Sequence, residues 1–569
     1  MASKLFNILN GINEGIEECK KNAKLAGFNV DEHTTIYSLA NMFKEINNVE
    51  NMRTKYTHTW KRPTGWLDTE SILRNAPEKE GMEPRFIIMY DSSKTSITLD
   101  KYLPSTSSVG AKTLGVPIFY TSDGNWVDTT SALATYTWLN TDDEYHYVIG
   151  YSSAETIQRF YPTLSTDTLE VVFGKCEPKQ IYISNAVSIR TIGDLINDTI
   201  EITSIQGTLL MKSIELPGVK KIIFSGTSSH SAYAIDVLTN AYSLVNFKAD
   251  DLEEIEINAR YNSTHKLFCI SYLYLPKLKS IKYTYTGGYY STLFGTSETN
   301  TNTRGLLFLD APELETMFNF EMSLSGIYAP KLSSIGGSKM VLQLSGSTLA
   351  TYLPSLKSAG DGTSTTTIAI NNACDIYLPS LEICDTIQHY YQGNGYWMCG
   401  SVVLPKLHTA KTINFYPSNY SNNSRYQNKG MYIDAPSLKN IEYLSNSTGP
   451  ISLDNINIPS IERITSGLQN IIDTDIVFPE TLTNIPNNFL SSSSNVRRLV
   501  LPNNFVLSGL DLTNATLLSR NCLLDIANKL ADVSSDTNNT YEITLGSTNL
   551  NKLTDAEKAI FTNKGWVLN

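Results

Sequence analysis

Carboxylates and histidines are the side chains of this chain that could perform acid–base chemistry. Adjacent acidic residues occur at Asp142-Asp143 and Asp250-Asp251, and a glycoside hydrolase would need such carboxyls facing each other across a cleft. The seven histidines are scattered through different segments, and His389 and His408 fall in neighbouring copies of a repeated unit. No phosphate-binding loop, zinc-protease motif, nucleophile elbow or dinucleotide-binding motif accompanies them. We therefore expect surface histidines and a protein that is not an enzyme.

The seven cysteines do not form a metal-binding or disulfide pattern. No two are spaced as C-x-x-C and their number is odd, so neither a zinc site nor a complete set of disulfides is indicated. Buried thiols that act as small apolar side chains are the better interpretation, above all for Cys384. We expect no cofactor and no metal.

Tyrosine-rich insertions are the segments best suited to recognise a ligand. They follow Ile281, Cys384 and Ile413, each in the same register of the repeated unit, so stacking of the units would bring them to one side. Their Tyr, Asn, Gly and Ser content is typical of adaptable recognition loops. Alternatively, these rings cover the repeats or contact a neighbouring subunit. The candidate binding residues are Tyr283, Tyr285, Tyr289, Tyr290, Tyr390, Tyr391, Tyr396, Trp397, Tyr416 and Tyr420.

The repeated unit consists of strand-type residues, Leu or Ala, Pro, any residue, Leu, two spacers and an apolar position. A unit at residues 249–255 has Asp250 in place of the proline, and neighbouring anchors are 18 to 36 residues apart, close to the 20–29 residues of leucine-rich repeats. The proline anchors are Pro217, Pro276, Pro312, Pro330, Pro354, Pro379, Pro405, Pro436, Pro459, Pro479 and Pro502.

The residue types of the repeated unit predict a stacked array. Proline lacks an N–H and should end a strand and turn the chain. The leucine two residues later and the apolar residue three beyond it, such as Leu278 and Ile281, should then point inside. Because each unit leaves an apolar edge open, only stacking can bury it. We expect a solenoid over residues 178–512.

Three other segments flank the repeats. Residues 1–55 carry two apolar stripes at helical spacing, which we expect to form an oligomeric anchor or to dock on the same chain. Residues 56–177 contain short strand-like runs between turns, as in a β-sandwich. Residues 513–569 predict a small α/β cap, with Thr554 and Glu557 forming a capping box. The predicted fold class is therefore mainly β.

Charge and hydropathy exclude two classes of partner. The net charge of −11 and the pI near 5.3 argue against a protein that tracks nucleic-acid phosphates, which would carry a basic patch. Residues 1–10 contain one lysine and no long apolar run, so we expect no secretory signal. No stretch approaches the ~18 apolar residues of a membrane span. We expect no membrane insertion.

The repeats resemble the BspA-type leucine-rich repeats of bacterial surface proteins and phage virion proteins. The segment from Leu545 to Trp566 is similar to the C-terminus of repeat proteins common in phages of gut bacteria. Trp60-Lys61-Arg62-Pro63-Thr64-Gly65-Trp66 also resembles a W-x-R-P-x-x-W element of phage structural proteins. No catalytic residues come with this resemblance.

The resemblance implies a virion protein, a fibre, tail or head appendage, assembled in the host cytoplasm. Residues 1–55 and the β-domain would contact other virion proteins, with a homo-oligomer, guessed to be a trimer, as the assembled form. The repeats would present a surface to a host glycan or protein receptor. The alternative is a BspA-like adhesin on a bacterial surface, against which the missing leader and anchor signals count.

Overall fold

In the computed structural model, the chain divides into two compact units, Val49–Leu332 and a second that joins Met1–Asn48 to Ser333–Asn569. Both units are mainly β, and parallel pairing predominates in their sheets. The structure describes residues 16–21, 49–54, 60–99, 117–140, 142–154, 156–157, 168–178, 186–202, 204–205, 211–225, 236–237, 246–258, 270, 272–284, 292–294, 308–319, 321–324, 326–337, 341–345, 350–360, 366–371, 376–390, 400–415, 431–445, 452–468, 471, 473–486, 489–490, 492–507 and 509–569.

The unit Val49–Leu332 begins with helical residues 49–54 and helix α1, Thr69–Arg74. The Asp68 carboxylate caps α1 by accepting a hydrogen bond from the Ser71 amide. The strands that follow are β1 (Glu83–Asp91), β2 (Ser96–Leu99), β3 (Ile118–Thr121), β4 (Trp126–Asp128), β5 (Ala134–Thr137), β6 (Tyr145–Ser152), β7 (Thr156–Ile157), β8 (Thr168–Phe173) and β9 (Glu177–Pro178).

Shorter strands from the repeats complete this unit. They alternate between two or more sheets, as expected when each repeat contributes one strand before its turn and one after it. Their bounds are β10 (Ser188–Thr191), β11 (Thr199–Ile202), β12 (Ser204–Ile205), β13 (Ser213–Glu215), β14 (Lys221–Ser225), β15 (Asp236–Val237), β16 (Asn246–Lys248), β17 (Glu254–Asn258), β18 (Tyr272–Tyr274), β19 (Ser280–Tyr283), β20 (Thr292–Phe294), β21 (Phe308–Asp310), β22 (Thr316–Phe318), β23 (Glu321–Leu324) and β24 (Gly326–Tyr328).

The region predicted as a β-sandwich, residues 56–177, is described in part. Its described strands form one antiparallel layer, β4-β3-β6-β1-β8, with the two-stranded pairs β2-β5 and β7-β9 beside it. Strand β10 pairs in parallel with β8, and β13 and β16 continue the sheet. Because β8 keeps a free edge after joining β1, a repeat strand can occupy that edge. The sheet therefore crosses the predicted boundary at residue 177 without a break.

The repeat strands stack in a constant register. In the order β11-β14-β17-β19-β22, the paired residues Ile200, Ile222, Ile255, Ile281 and Met317 form one row. Each is at most 1% exposed. Strands β18, β21 and β24 pair in the same way in a second sheet. Stacking buries the apolar edge that each repeat would otherwise leave open.

The turn of each repeat follows from its proline. The Leu278 amide donates to the Leu275 carbonyl at 3.3 Å across Pro276, which is a β-turn with proline in its favoured second position. The Leu252 amide makes the equivalent bond to the Ala249 carbonyl at 3.1 Å. Asp250 therefore replaces proline without changing the turn, as expected.

The described part of Ser333–Asn569 forms further parallel strands and three α-helices. A short 3-10 helix, Leu453–Asn455, precedes β36. The other bounds are β25 (Ser334–Gly336), β26 (Val341–Ser345), β27 (Ala350–Tyr352), β28 (Ser358–Ala359), β29 (Thr367–Asn371), β30 (Ile376–Tyr377), β31 (Ile383–Tyr390), β32 (Gly400–Val403), β33 (Thr409–Phe415), β34 (Met431–Asp434), β35 (Asn440–Ser445), β36 (Ile456–Asn457), β37 (Arg463–Gly467), β38 (Asp475–Val477), β39 (Arg498–Val500), β40 (Leu510–Asp511), α2 (Arg520–Lys529), β41 (Tyr541–Thr544), α3 (Gly546–Leu550), α4 (Asp555–Asn563) and β42 (Trp566–Leu568).

Two sheets of this unit are built from successive repeats. Strands β31, β33, β35 and β37 pair in parallel, as do β30, β32, β34 and β36. Cys384 pairs with Ala410 in the first sheet and is fully buried, which confirms the prediction of a buried thiol. Cys176 and Cys522 are buried as well, Cys19 is exposed, and the other three cysteines lie outside the described residues.

The C-terminal residues form the expected α/β arrangement. Helix α4 begins at the predicted capping box, in which Thr554 and Glu557 each accept a hydrogen bond from the backbone of the other. Strands β40, β41 and β42 form a parallel sheet. The Lys564 ammonium donates to the carbonyls of Ala527, Asn528 and Leu530 at the end of α2, where a cation is favoured.

The described parts of the predicted anchor, residues 16–21 and 49–54, are helical. Residues 49–54 dock on the same chain. Arg53 donates to the Asp310 carboxylate from Nε at 2.7 Å and from Nη2 at 3.1 Å, and its guanidinium lies 4.5 Å from the centre of the Tyr328 ring. The Asp310 side chain is 1% exposed. This part of the segment therefore follows the alternative of docking within the chain.

Candidate functional site

Most of the predicted binding residues belong to the insertions after β19, β31 and β33. Tyr285, Tyr289, Tyr290, Tyr391, Tyr396, Trp397, Tyr416 and Tyr420 lie outside the described residues, and Tyr390 is described only as the last residue of β31. Tyr283 ends β19 and is 4% exposed. The alternation of β19 turns Tyr283 inward with Ile281, so its ring packs in the interior and the binding prediction for it needs correction.

Two of the three insertions begin at one edge of one sheet. Strands β31 and β33 are adjacent and parallel, and His389 pairs with Phe415 near their carboxyl ends. The segments 391–399 and 416–430 follow directly after these strands. Because parallel neighbours end on the same side, both insertions leave the same edge of the sheet. This is the placement that the register of the repeats predicts.

A groove of about 680 Å³ lies over β33, β35 and β37 of this sheet. Parallel pairing places its lining in rows across the strands: Thr409 pairs with Asn440 and Asn440 with Arg463. Buried Ala410 and Ile441 underlie it. The full lining is Thr409, Ala410, Lys411, Asn440, Ile441, Glu442, Tyr443, Arg463, Thr465 and Ser466.

The polar groups of the groove are largely unoccupied by the protein itself. The Thr409 hydroxyl lies 3.0 Å from His408 Nδ1. Within the described part of the chain, no other polar side chain of the lining makes a hydrogen bond or an ion pair; these are Lys411, Asn440, Glu442, Tyr443, Arg463, Thr465 and Ser466. Their donors and acceptors are available to a ligand.

The same repeat positions in the other unit form a closed ion-pair network. Lys221 contacts Glu254 at 3.1 Å and Glu256 at 2.6 Å, and Lys282 contacts Glu254 at 2.5 Å. The hydrogen bond with Glu256 raises the pKa of Lys221, and the same bond lowers the pKa of the Glu256 carboxyl. Charges on this face of β14, β17 and β19 therefore neutralise one another, in contrast to the groove.

The residues first considered for catalysis have structural or surface positions. Asp251 accepts hydrogen bonds from Lys277 and from the Gly218 amide, which lowers the pKa of its carboxyl. Asp142 is exposed. The side chain of His389 is not described, and His408 contacts Thr409. The structure does not bring these groups together around a cleft in the described residues.

The groove offers hydrogen bonding and charge without the elements of a metal centre. Among the residues that the structure describes, no group of three His, Cys, Asp or Glu side chains could hold a metal ion.

No described helix is long and apolar enough to span a bilayer. No family model, curated protein or solved structure matches this chain.

Sequence reasoning missed the groove because its residues occupy ordinary outward positions of strands. Opposite charges occur at these positions in both sets of repeats, as Lys221 with Glu254 and as Lys411 with Glu442. The contacts in the structure, and not the sequence, show which of these charges form ion pairs.

Proposed function

We propose that this chain is a non-enzymatic structural protein of a phage virion, a fibre, tail or head appendage that attaches to the host surface. Contacts with other virion proteins would be made by the β-domain and by residues 1–48 of the predicted segment 1–55, in a homo-oligomer that we take to be a trimer. The repeats would carry the recognition surface for a glycan or protein receptor. Its location would be the virion, after assembly in the host cytoplasm.

We propose that the repeats form a leucine-rich-repeat solenoid, with residues 513–569 as its C-terminal cap. Support comes from the identical proline turns and from the buried row of Ile200, Ile222, Ile255 and Ile281. Such an array binds along its surface through residues that stacking aligns.

One observation carries the recognition role. An unpaired polar face lines a groove over β33, β35 and β37, and two Tyr-rich insertions leave the neighbouring strands β31 and β33 at one edge. Unsatisfied donors and acceptors on a rigid sheet are suited to binding a ligand without reorganisation.

The composition of the groove supports binding over catalysis. Glycoside hydrolysis generally uses two carboxyl groups that flank the scissile bond. Among the residues that line this groove, Glu442 supplies the single carboxylate. A hydrolase built on this surface would lack its second acid.

The location can be tested on intact phage particles. An antibody raised against the purified chain should label virions by electron microscopy, and the purified chain should adsorb to the bacteria that the phage infects. Label on the bacterial envelope with unlabelled particles would contradict the virion role and favour the BspA-like adhesin. Absence of adsorption would contradict the attachment role.

The insertions can be tested in the same adsorption assay. Replacing Tyr390, Tyr391, Tyr396 and Trp397 together with Ala should weaken adsorption at least tenfold, because aromatic faces supply much of the contact energy in Tyr-rich recognition loops. Thermal unfolding checks that the fold is intact. Full adsorption by a folded variant would remove this insertion from the recognition surface.

A further inference from the structure

We infer that the groove over β33, β35 and β37 binds a linear polysaccharide that lies across the three strands. This inference rests on the attachment role proposed above and names the ligand of that surface. Its basis is the geometry of the groove and a comparison of equivalent repeat positions in the two units.

A comparison of β19 with β37 indicates a binding role for the groove. Lys282 and Thr465 both stand six residues after their anchors, Pro276 and Pro459. Lys282 belongs to the closed network with Glu254 and Glu256, whereas Thr465 borders the open groove and has no partner among the described residues. The same repeat position is therefore used for internal pairing at β19 and left unpaired at β37.

Backbone geometry argues against a peptide ligand added as a strand. Strand β33 pairs with β31 and β35, and β35 pairs with β33 and β37. The backbone N–H and C=O groups of β33 and β35 are thus used within the sheet, whereas β37 has one bridge on its other side, between Arg463 and Asn484. Strand addition requires a free edge, and the groove lies over the face of the sheet, so a ligand in the groove would meet side chains.

The side chains suit a chain of sugars. Hydroxyls and an amide from Thr465, Ser466 and Asn440 can each donate and accept hydrogen bonds, which matches a ligand with many hydroxyl groups. Tyr443 adds an aromatic ring to the wall. Neighbouring strands are ~4.8 Å apart, so the three strands span about 10 Å. Equivalent side chains therefore recur at the ~4.8 Å strand spacing, which suits a polymer whose units also repeat regularly.

Charge selects among polymers. Lys411 and Arg463 give the lining two positive charges against the one negative charge of Glu442. This balance favours acidic sugars. A nucleic acid is disfavoured, because phosphate binding needs a run of cations and the chain has a net charge of −11.

The test uses the full-length chain on a printed array of purified bacterial capsular and O-antigen polysaccharides, neutral and acidic. Thr465→Trp should fill the groove and reduce affinity for the bound polysaccharide at least tenfold. The matched control, Lys282→Trp, makes the same replacement at the same repeat position on the closed face and should leave affinity within twofold. Arg463→Ala tests the site again without added bulk.

The outcomes separate this inference from the proposed function. Equal binding by the native chain, Thr465→Trp and Arg463→Ala would overturn the groove as the site, even if adsorption to cells persists. Failure of the native chain to bind any polysaccharide of the array would overturn the ligand class. Groove-dependent binding by a chain that is absent from virions would retain the site and contradict the virion role. We expect Thr465→Trp and Arg463→Ala to lose affinity for the acidic polysaccharides that the native chain binds.

Discussion

At the scale of single residues, the carboxylate of Glu170 organises the first layer of strands. It is fully buried and accepts hydrogen bonds from Arg62 Nε and Nη2, both at 2.8 Å, from Arg190 Nε at 3.3 Å and from the Thr69 hydroxyl. Arg62 belongs to the W-x-R-P-x-x-W element, and its guanidinium lies 5.4 Å from the centre of the Trp66 ring. This element therefore supplies a cation that neutralises a buried acid on β8.

Glu70 extends the network towards the surface. Burial by itself would raise the pKa of its carboxyl, but the hydrogen bonds from Arg190 and Arg74 outweigh that effect and lower the pKa. The acid thus stays ionised near neutral pH. The network joins α1, β8 and β10 by charge as well as by packing.

Replacing Arg62 with Ala should destabilise the chain by about 3 kcal/mol, because it removes two hydrogen bonds and a compensating charge from a buried carboxylate. The measurement is urea-induced unfolding followed by circular dichroism. Arg74→Ala is the matched control, since Arg74 forms exposed ion pairs with Glu70 and Asp194 and should shift the midpoint little. Equal shifts for the two variants would contradict the role of Glu170.

At the scale of elements, stacking of repeats depends on backbone contact as well as on apolar rows. Gly467 in β37 has φ +104°, and a Cβ there would lie 1.7 Å from the Leu444 carbonyl oxygen of β35. Such a close approach is possible only without a side chain. Exposed ion pairs between neighbouring repeats help to fix their register: Lys220 contacts Asp198 at 2.9 Å, and Lys279 contacts Glu253 at 2.7 Å.

Gly467→Ala should therefore cost about 2 kcal/mol through backbone strain alone, with further loss if β35 and β37 separate. Gly336→Ala in β25 is the control, because a Cβ at that position meets no atom within 4 Å; it should change stability by less than about 0.5 kcal/mol. Differential scanning calorimetry measures both variants. A Gly467→Ala chain as stable as the control would show that the two strands can move apart freely.

At the scale of the whole molecule, the helical residues 49–54 belong by their contacts to the unit Val49–Leu332. Its Arg53 is committed to Asp310 within the chain, and Val49 and Met52 are buried at 2% and 5% exposure. Residues before 49 are the part proposed to assemble with other chains. The proposal therefore sets the boundary between docking and assembly near residue 49.

Two truncations test that boundary. Removal of residues 1–48 should convert the oligomer to a monomer, as measured by light scattering, and leave the thermal midpoint of the unit Val49–Leu332 unchanged. Removal of residues 1–54 should also destabilise that unit by about 3 kcal/mol, because Asp310 then stays buried without its cation. An oligomer that survives removal of 1–48 would place the anchor elsewhere. Equal midpoints would contradict the docking role of Arg53.

The amino-acid sequence by itself determined the local chemistry of this protein. Proline before x-Leu specified the turn, the spacing of Leu278 and Ile281 specified the buried rows, and Thr554 with Glu557 specified the start of α4. These features depend on residues close together in the chain, whose preferences are strong. A buried thiol at Cys384 followed from the same periodicity.

The tertiary structure decided what depends on neighbours distant in sequence. It paired β8 with β10, so that one sheet continues past residue 177, and it turned Tyr283 inward. It also gave Arg62 a partner 108 residues away, in Glu170. The groove arises in the same manner, because Lys411, Glu442 and Arg463 become neighbours only when three repeats stack in register. The amino-acid sequence of a strand specifies which of its side chains alternate inward and outward. The sheet edge that it joins and the charges that it faces depend on the strands that pack beside it.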